Sequence, residues 1–173
     1  KLSGVGTVEL EIGSEPSVEI TFDDNLLEIV ETRVEDGELS ITSSEPYNSK
    51  LPLLVKVVTP TLEKVVLSGV GSMNLSGLDS DELEVIVSGV GNMAASGKVR
   101  NLNVKLSGTG KANLEELVAN SVLVSVSGVG NAKVYAVESV DAKTSGVGGI
   151  TIYGNPQAVN TSSSGIGKIN LVK

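Results

Sequence analysis

An all-β parallel solenoid with coils of about 19 residues is the fold class this sequence predicts. The first observation behind it is a recurring tetrapeptide. It stands at Ser68-Gly69-Val70-Gly71, Ser88-Gly89-Val90-Gly91, Ser107-Gly108-Thr109-Gly110, Ser127-Gly128-Val129-Gly130, Ser145-Gly146-Val147-Gly148 and Ser164-Gly165-Ile166-Gly167, with successive serines 20, 19, 20, 18 and 19 residues apart. A fixed interval of this length marks a stacked repeat. The second observation is the alternation before each copy, as in Leu83, Val85, Val87, then Leu102, Val104, Leu106, then Val122, Val124, Val126. Period two describes a strand with one buried face. The third is composition. Apolar residues make up 40 % of the chain, yet it has one Phe, three Tyr and no Trp. Its core must be filled by small branched side chains of similar volume at every level.

Each element of the repeat has a physical reason. Paired glycines reach backbone angles closed to other residues and let backbone approach backbone. A bulky residue in that column would strike the coils on either side. The stacked serines can exchange hydroxyl hydrogen bonds along the column. After each bend a short alternation follows, as in Met73, Leu75, then Ala112, Leu114, then Ile150, Ile152. A variable polar corner such as Leu78-Asp79-Ser80-Asp81-Glu82 closes the unit. Asn113–Val118 is the one stretch with some helical character. The tetrapeptides also suit hairpin turns in an antiparallel meander. The constant period and the near-identical bends favour the solenoid, because hairpins do not need matching turns.

The chain reads as one domain, 1–173, in which regular repeats occupy 68–173 and residues 1–67 form less regular, acidic coils or a cap. A further copy, Ser3-Gly4-Val5-Gly6, lies 65 residues before Ser68. Val8, Leu10 and Ile12 alternate, as do Val18, Ile20 and Phe22; Asp36-Gly37 reads as a turn between Val34 and Leu39; Leu53, Val55 and Val57 form a strand ending at Thr59-Pro60. Open solenoid ends expose unpaired backbone, so caps are needed. Glu9, Glu11 and Glu19 would discourage edge pairing. The C-terminal stretch Ile169–Val172 carries no visible cap, and the expectation is that it meets another subunit, giving a homo-oligomer through the C-terminal coil, or a removed segment. Inward residues change from Val and Leu to Val140, Ala142, Thr144 and then Val159, Thr161, Ser163, so the core narrows toward that end.

Composition also excludes chemistry. The chain has neither cysteine nor histidine, which removes disulfides, thiolate or imidazole metal sites and Ser-His-Asp catalysis. The net charge of −8 sits entirely in residues 1–67, with 5 basic and 13 acidic residues, whereas 68–173 hold 8 of each. No basic stripe exists, so nucleic acid is not an expected partner. No run of 18 apolar residues spans a membrane, and no signal peptide is visible at Lys1, where numbering can follow a cleaved one. Asp79, Asp81, Glu82 and Glu84, with Lys98 and Arg100 one coil later, invite comparison with metal-assisted polysaccharide lyases, but read better as a solvated corner. Glu115-Glu116 reads the same way. The bends lack the Gly-Lys-Ser/Thr of a phosphate loop. The sequons at Asn74 and Asn160 read as chance matches. No catalytic, cofactor-binding or metal residue is assigned, and no cofactor is expected.

The serial Ser-Gly-x-Gly bends, the stretch Ile150-Thr-Ile-Tyr-Gly-Asn-Pro156, and Asp36-Gly-Glu-Leu-Ser-Ile41 and Val55-Lys-Val-Val-Thr-Pro60 ahead of the first regular bend resemble the bacterial auto-transporter adhesin, head GIN domain family. The resemblance spans nearly the whole chain. It implies a right-handed single-stranded β-helix, export from the cytoplasm to the periplasm, outer surface or medium, and no enzymatic activity. Relatives often carry Asp after the second glycine. Here that place holds Ser72, Asn92, Lys111, Asn131, Gly149 and Lys168, so a cation ladder is not expected. Two functions follow as expectations. One is a structural or interaction module at the cell envelope that contacts a protein or a carbohydrate. Its outward positions Val66, Ile86, Lys105, Ser125, Lys143 and Ser162 would form one ladder. The other is a carbohydrate-active β-helix enzyme, which the scarcity of aromatic rings disfavours.

Overall fold

The computed structural model describes residues 1–45, 47, 49 and 52–172. The N-terminal part contains β1 (Val5–Ile12), β2 (Ser17–Thr21), a 3-10 helix (Asp24–Ile29), β3 (Val30–Glu35), β4 (Glu38–Ser43), β5 (Leu54–Thr59) and β6 (Lys64–Leu67). Four strands then each run around almost a whole coil: β7 (Val70–Val87), β8 (Val90–Leu106), β9 (Thr109–Val126) and β10 (Val129–Thr144). The chain ends with β11 (Val147–Gly154), β12 (Ala158–Ser163) and β13 (Lys168–Leu171). Neighbouring coils pair in parallel from β7 through β11, which excludes the antiparallel meander. Irregularities between Leu75 and Leu78, Ala94 and Ser96, and Val134 and Tyr135 absorb the variation in coil length.

The first strand of the chain is not at the end of the stack. Along the axis the order is β2-β5-β1-β7-β8-β9-β10-β11-β13, with β6 on β7 and β12 on β10. Val5 lies opposite Val70 and Gly6 opposite Gly71, so the distant N-terminal copy of the tetrapeptide belongs to the same column as the others. On its other side β1 pairs in parallel with β5, Val8 facing Val55. β2 is antiparallel to β5 and is the outermost strand. Glu19 therefore guards an edge, whereas Glu9 and Glu11 lie inside the sheet. Lys56 stands between Glu9 and Glu19 in the ladder, where opposite charges across strands are favourable. β3 and β4 form a separate hairpin whose turn residues Asp36 and Gly37 have φ of 49° and 80°. Both central residues have positive φ, as a type I′ hairpin turn requires.

The interior is one aliphatic column. Leu83, Val85, Val87, Leu102, Val104, Leu106, Leu114, Leu117, Val124 and Val126 are all buried. Leu78, expected within a polar corner, is buried, and β7 continues through that corner. Inter-coil backbone bonds form whatever the side chain, so a polar corner need not end a strand. Asn113–Val118 is likewise strand rather than a helical turn, with Asn113, Leu114 and Val118 in register with β10 and Asn113, Glu116, Leu117 and Val118 in register with β8. Near the C-terminus the inward ladders run Val122, Val140, Val159, then Val124, Ala142, Thr161, then Val126, Thr144, Ser163. Thr144 is the one buried polar residue among those described, and its Oγ1 has no hydrogen-bond partner. β12 is exposed along its length.

Candidate functional site

Three surfaces carry the residues that could meet a partner: the ridge of glycine bends, the flat face that precedes each bend, and the corner beyond β7's irregularity.

At the ridge the backbone bonds from coil to coil. Ser88 and Gly89 both donate N–H to Leu67 O, at 2.9 and 3.1 Å, and Val90 donates to Gly69 O at 3.0 Å. The same set recurs at Ser107, Gly108 and Thr109 one coil later. The glycines are required by this approach. A Cβ on Gly89 would stand 2.0 Å from Gly69 O, and one on Gly108 2.0 Å from Gly89 O. The expected chain of serine hydroxyls does not form. Among the described residues Ser3 and Ser68 pair, at 3.2 Å, and no other serines in the column do. Equivalent hydroxyls repeat at the coil spacing of roughly 4.8 Å, beyond hydrogen-bond reach unless one tilts out of line.

On the flat face the predicted ladder is present. Val66 faces Ile86, Ile86 faces Lys105, Lys105 faces Ser125, Ser125 faces Lys143, and Lys143 faces Ser162. Beside it Glu84 accepts from Lys64 Nζ at 2.9 Å and Lys105 Nζ at 2.7 Å. Those hydrogen bonds, Lys105 first and Lys64 second, hold the Glu84 carboxyl below its ordinary value. A depressed folded value means the interaction stabilises above the unfolded carboxylate range and is lost as pH falls through the folded value. Glu84→Gln should therefore lower stability at pH 7 by up to about 1 kcal/mol, and the difference should shrink as pH falls through the folded value of the carboxyl. Thermal melts of both proteins over a series from pH 7 into the acid range check this.

The corner forms a cleft of about 700 Å³ lined by Leu62, Glu63, Asp79, Asp81, Glu82, Lys98 and Arg100, among others. Asp79 lies opposite Lys98 and Glu82 opposite Asn101. Arg100 Nη2 meets Asp81 Oδ1 at 3.1 Å, with both side chains mostly exposed. Glu84 is held on the flat face by its two lysines, so the four acids do not converge. Among the described residues no group of three or more acids is placed to hold a metal ion. The arrangement is one solvated ion pair among exposed acids and bases, and such a pair is worth little. Glu115 accepts from Lys133 Nζ at 3.0 and 3.1 Å, while Glu116 is exposed beside Ser96. The column after the second glycine runs Ser72, Asn92, Lys111, Asn131, Gly149, Lys168 in register, without a carboxylate.

Some features escaped the sequence reading. Tyr135 and Tyr153 occupy one ladder, and Phe22 and Tyr47 meet edge-to-face in the N-terminal part, 5.1 Å between centroids. Tyr47 donates its hydroxyl to Val5 O at 2.6 Å. Burial pushes that phenol above its ordinary value, against the lowering effect of the bond. None of these pairings has a local sequence signal.

These surfaces and the fold define a class: a capped parallel β-solenoid whose outward residues repeat coil by coil and do not converge on a catalytic constellation among the described residues. The chain belongs to the family described as "Putative auto-transporter adhesin, head GIN domain", whose model matches residues 1–156. Solved structures share the fold. An adhesin, called putative, from Bacteroides fragilis aligns with a TM-score of 0.77 and 22 % identity, over 99 % of this chain and 91 % of that one. A "putative lipid binding protein" from Parabacteroides distasonis aligns at 0.55 and 23 %, over 99 % and 91 %. A "putative adhesin" from Parabacteroides merdae aligns at 0.52 and 21 %, over the same shares. No curated protein matches the chain. No helix among the described residues is long and apolar enough to cross a membrane.

Proposed function

We propose that this protein is a non-enzymatic, exported interaction module of the cell envelope that holds a protein or carbohydrate partner on its flat face. The observation that carries this reading is the unbroken ladder from Val66 to Ser162, in which outward side chains repeat at the coil spacing on a rigid parallel sheet. A face of this kind meets an extended partner at several equivalent points without moving. Its apolar end, Val66 and Ile86, is where desolvation would contribute most. Membership of an adhesin-named family supports the same reading.

A glycan array and binding to envelope extracts identify the partner, and Ile86→Glu tests the face. The side chain of Ile86 points outward and is partly exposed, so the fold should survive, while affinity falls roughly tenfold or more. Unchanged binding would remove this face from consideration. Turnover of an acidic polysaccharide, abolished by Asp81→Asn or Arg100→Gln, would replace the reading with an enzymatic one centred on the corner cleft.

A further inference from the structure

The glycines of the ridge are explained by backbone contact, but the residue between them is not. Its N–H bonds the preceding coil while its side chain points to solvent, so sterics leave its identity free. The column nevertheless reads Val5, Val70, Val90, Thr109, Val129, Val147, Ile166. The five valines are each 48–54 % exposed and Ile166 is 82 % exposed. Of the fourteen large apolar residues exposed among those described, six stand in this one line. Exposed apolar side chains scattered singly need no explanation, whereas a contiguous row marks a contact surface.

We infer that this ridge is an interface with a second copy of this chain, the two solenoids lying side by side and antiparallel. Three observations select that occupant. A second copy has the same coil period, so every rung can meet a rung. The column is palindromic in character: three aliphatic residues, Thr109, then three aliphatic residues. A twofold axis through Thr109 would bring Val90 against Val129, Val70 against Val147 and Val5 against Ile166, with Thr109 against its own copy, where the two hydroxyls can bond each other. Self-complementarity about a twofold is what an isologous interface requires. Charge then fixes the direction. All of the net −8 lies in residues 1–67, so a parallel pair would set the two acidic caps together, whereas an antiparallel pair sets them at opposite ends. Five half-exposed valines and the more exposed Ile166 offer on the order of 500 Å², against about 800 Å² per partner in a standard interface, so the dimer should be weak, with a Kd of roughly 10–100 µM.

The chain has no cysteine, so single cysteines report the pairing cleanly. Under mild added oxidant, Thr109→Cys should form a covalent dimer. Val90→Cys alone should not, because the two copies of residue 90 lie two rungs apart, about 9.6 Å, beyond disulfide reach. An equal mixture of Val90→Cys and Val129→Cys should. Sedimentation of the native chain should show a monomer–dimer equilibrium, and a variant with Val70, Val90, Val129 and Val147 all changed to Thr should weaken it at least tenfold. Threonine keeps the branched shape and strand preference, so the melting temperature should hold. If it falls, the cysteine pattern in the otherwise native chain still decides. A strict monomer at roughly 500 µM, well above the expected Kd, overturns the inference. So does self-coupling of Val90→Cys as fast as Thr109→Cys, or dimerisation untouched in the threonine variant.

Discussion

Gly110→Ala should destabilise the fold by about 4 kcal/mol or more, measured by denaturant unfolding. The added Cβ would stand 1.7 Å from Gly91 O, 2.8 Å from Gly91 C and 3.1 Å from Gly91 N. Gly110 also has φ of 154°, in the range that side chains rarely adopt. Relief requires the two coils to move apart, and that breaks the parallel ladder on both sides of the bend, because the next coil hangs on this one. A useful contrast is Gly37→Ala in the hairpin turn. Gly37 has φ of 80°, but nothing lies within 4 Å of its Cβ position. That change should cost only about 1 kcal/mol, the conformational term alone. Equal costs at the two sites would mean that the bends are not held by close stacking.

The contrast shows which parts of the structure could be read from the chain. Alternation and the bend are local, so strands such as Leu102–Leu106 and their buried faces are visible directly. Contacts between coils are distant in sequence but follow from the period. Asp79 and Lys98, like Asp81 and Arg100, are 19 apart; the structure sets the first two opposite each other in the ladder and joins the second two as an ion pair. Glu84 and Lys105 are 21 apart and still meet, because a long lysine side chain reaches diagonally. What the period cannot supply is the placement of elements that leave the repeat. β1 is separated from β7 by more than fifty residues, and nothing in Val5–Ile12 says that β5 and β2 will lie beyond it at the end of the stack. The aromatic contact of Phe22 with Tyr47 depends on that excursion and was hidden with it. The bend residues were legible as glycines with a structural task. The valine between them reads locally as part of the bend, and its outward direction depends on how the coils stack.

Because β1 sits between β5 and β7, Val8→Asp should separate the cap from the body. Val8 is buried and faces Val55 on one side and Met73 on the other. An unpaired carboxylate at that point costs about 4 kcal/mol or more if it stays ionised, and somewhat less if it takes up a proton. In a stack where each coil contacts only its neighbours, the damage should remain local. Native-state hydrogen exchange should show β2 and β5 losing protection, with β1 itself, while amides of β8, β9 and β10 keep most of theirs. The reason is in the contacts: β8 is held by β7 and β9, and neither pairing passes through Val8. The core columns of those coils, from Leu102 through Val126, are closed by their own neighbours. If protection fell equally from one end of the chain to the other, the molecule would be a single cooperative block. The coil-by-coil independence on which a modular ligand-bearing face rests would then be lost.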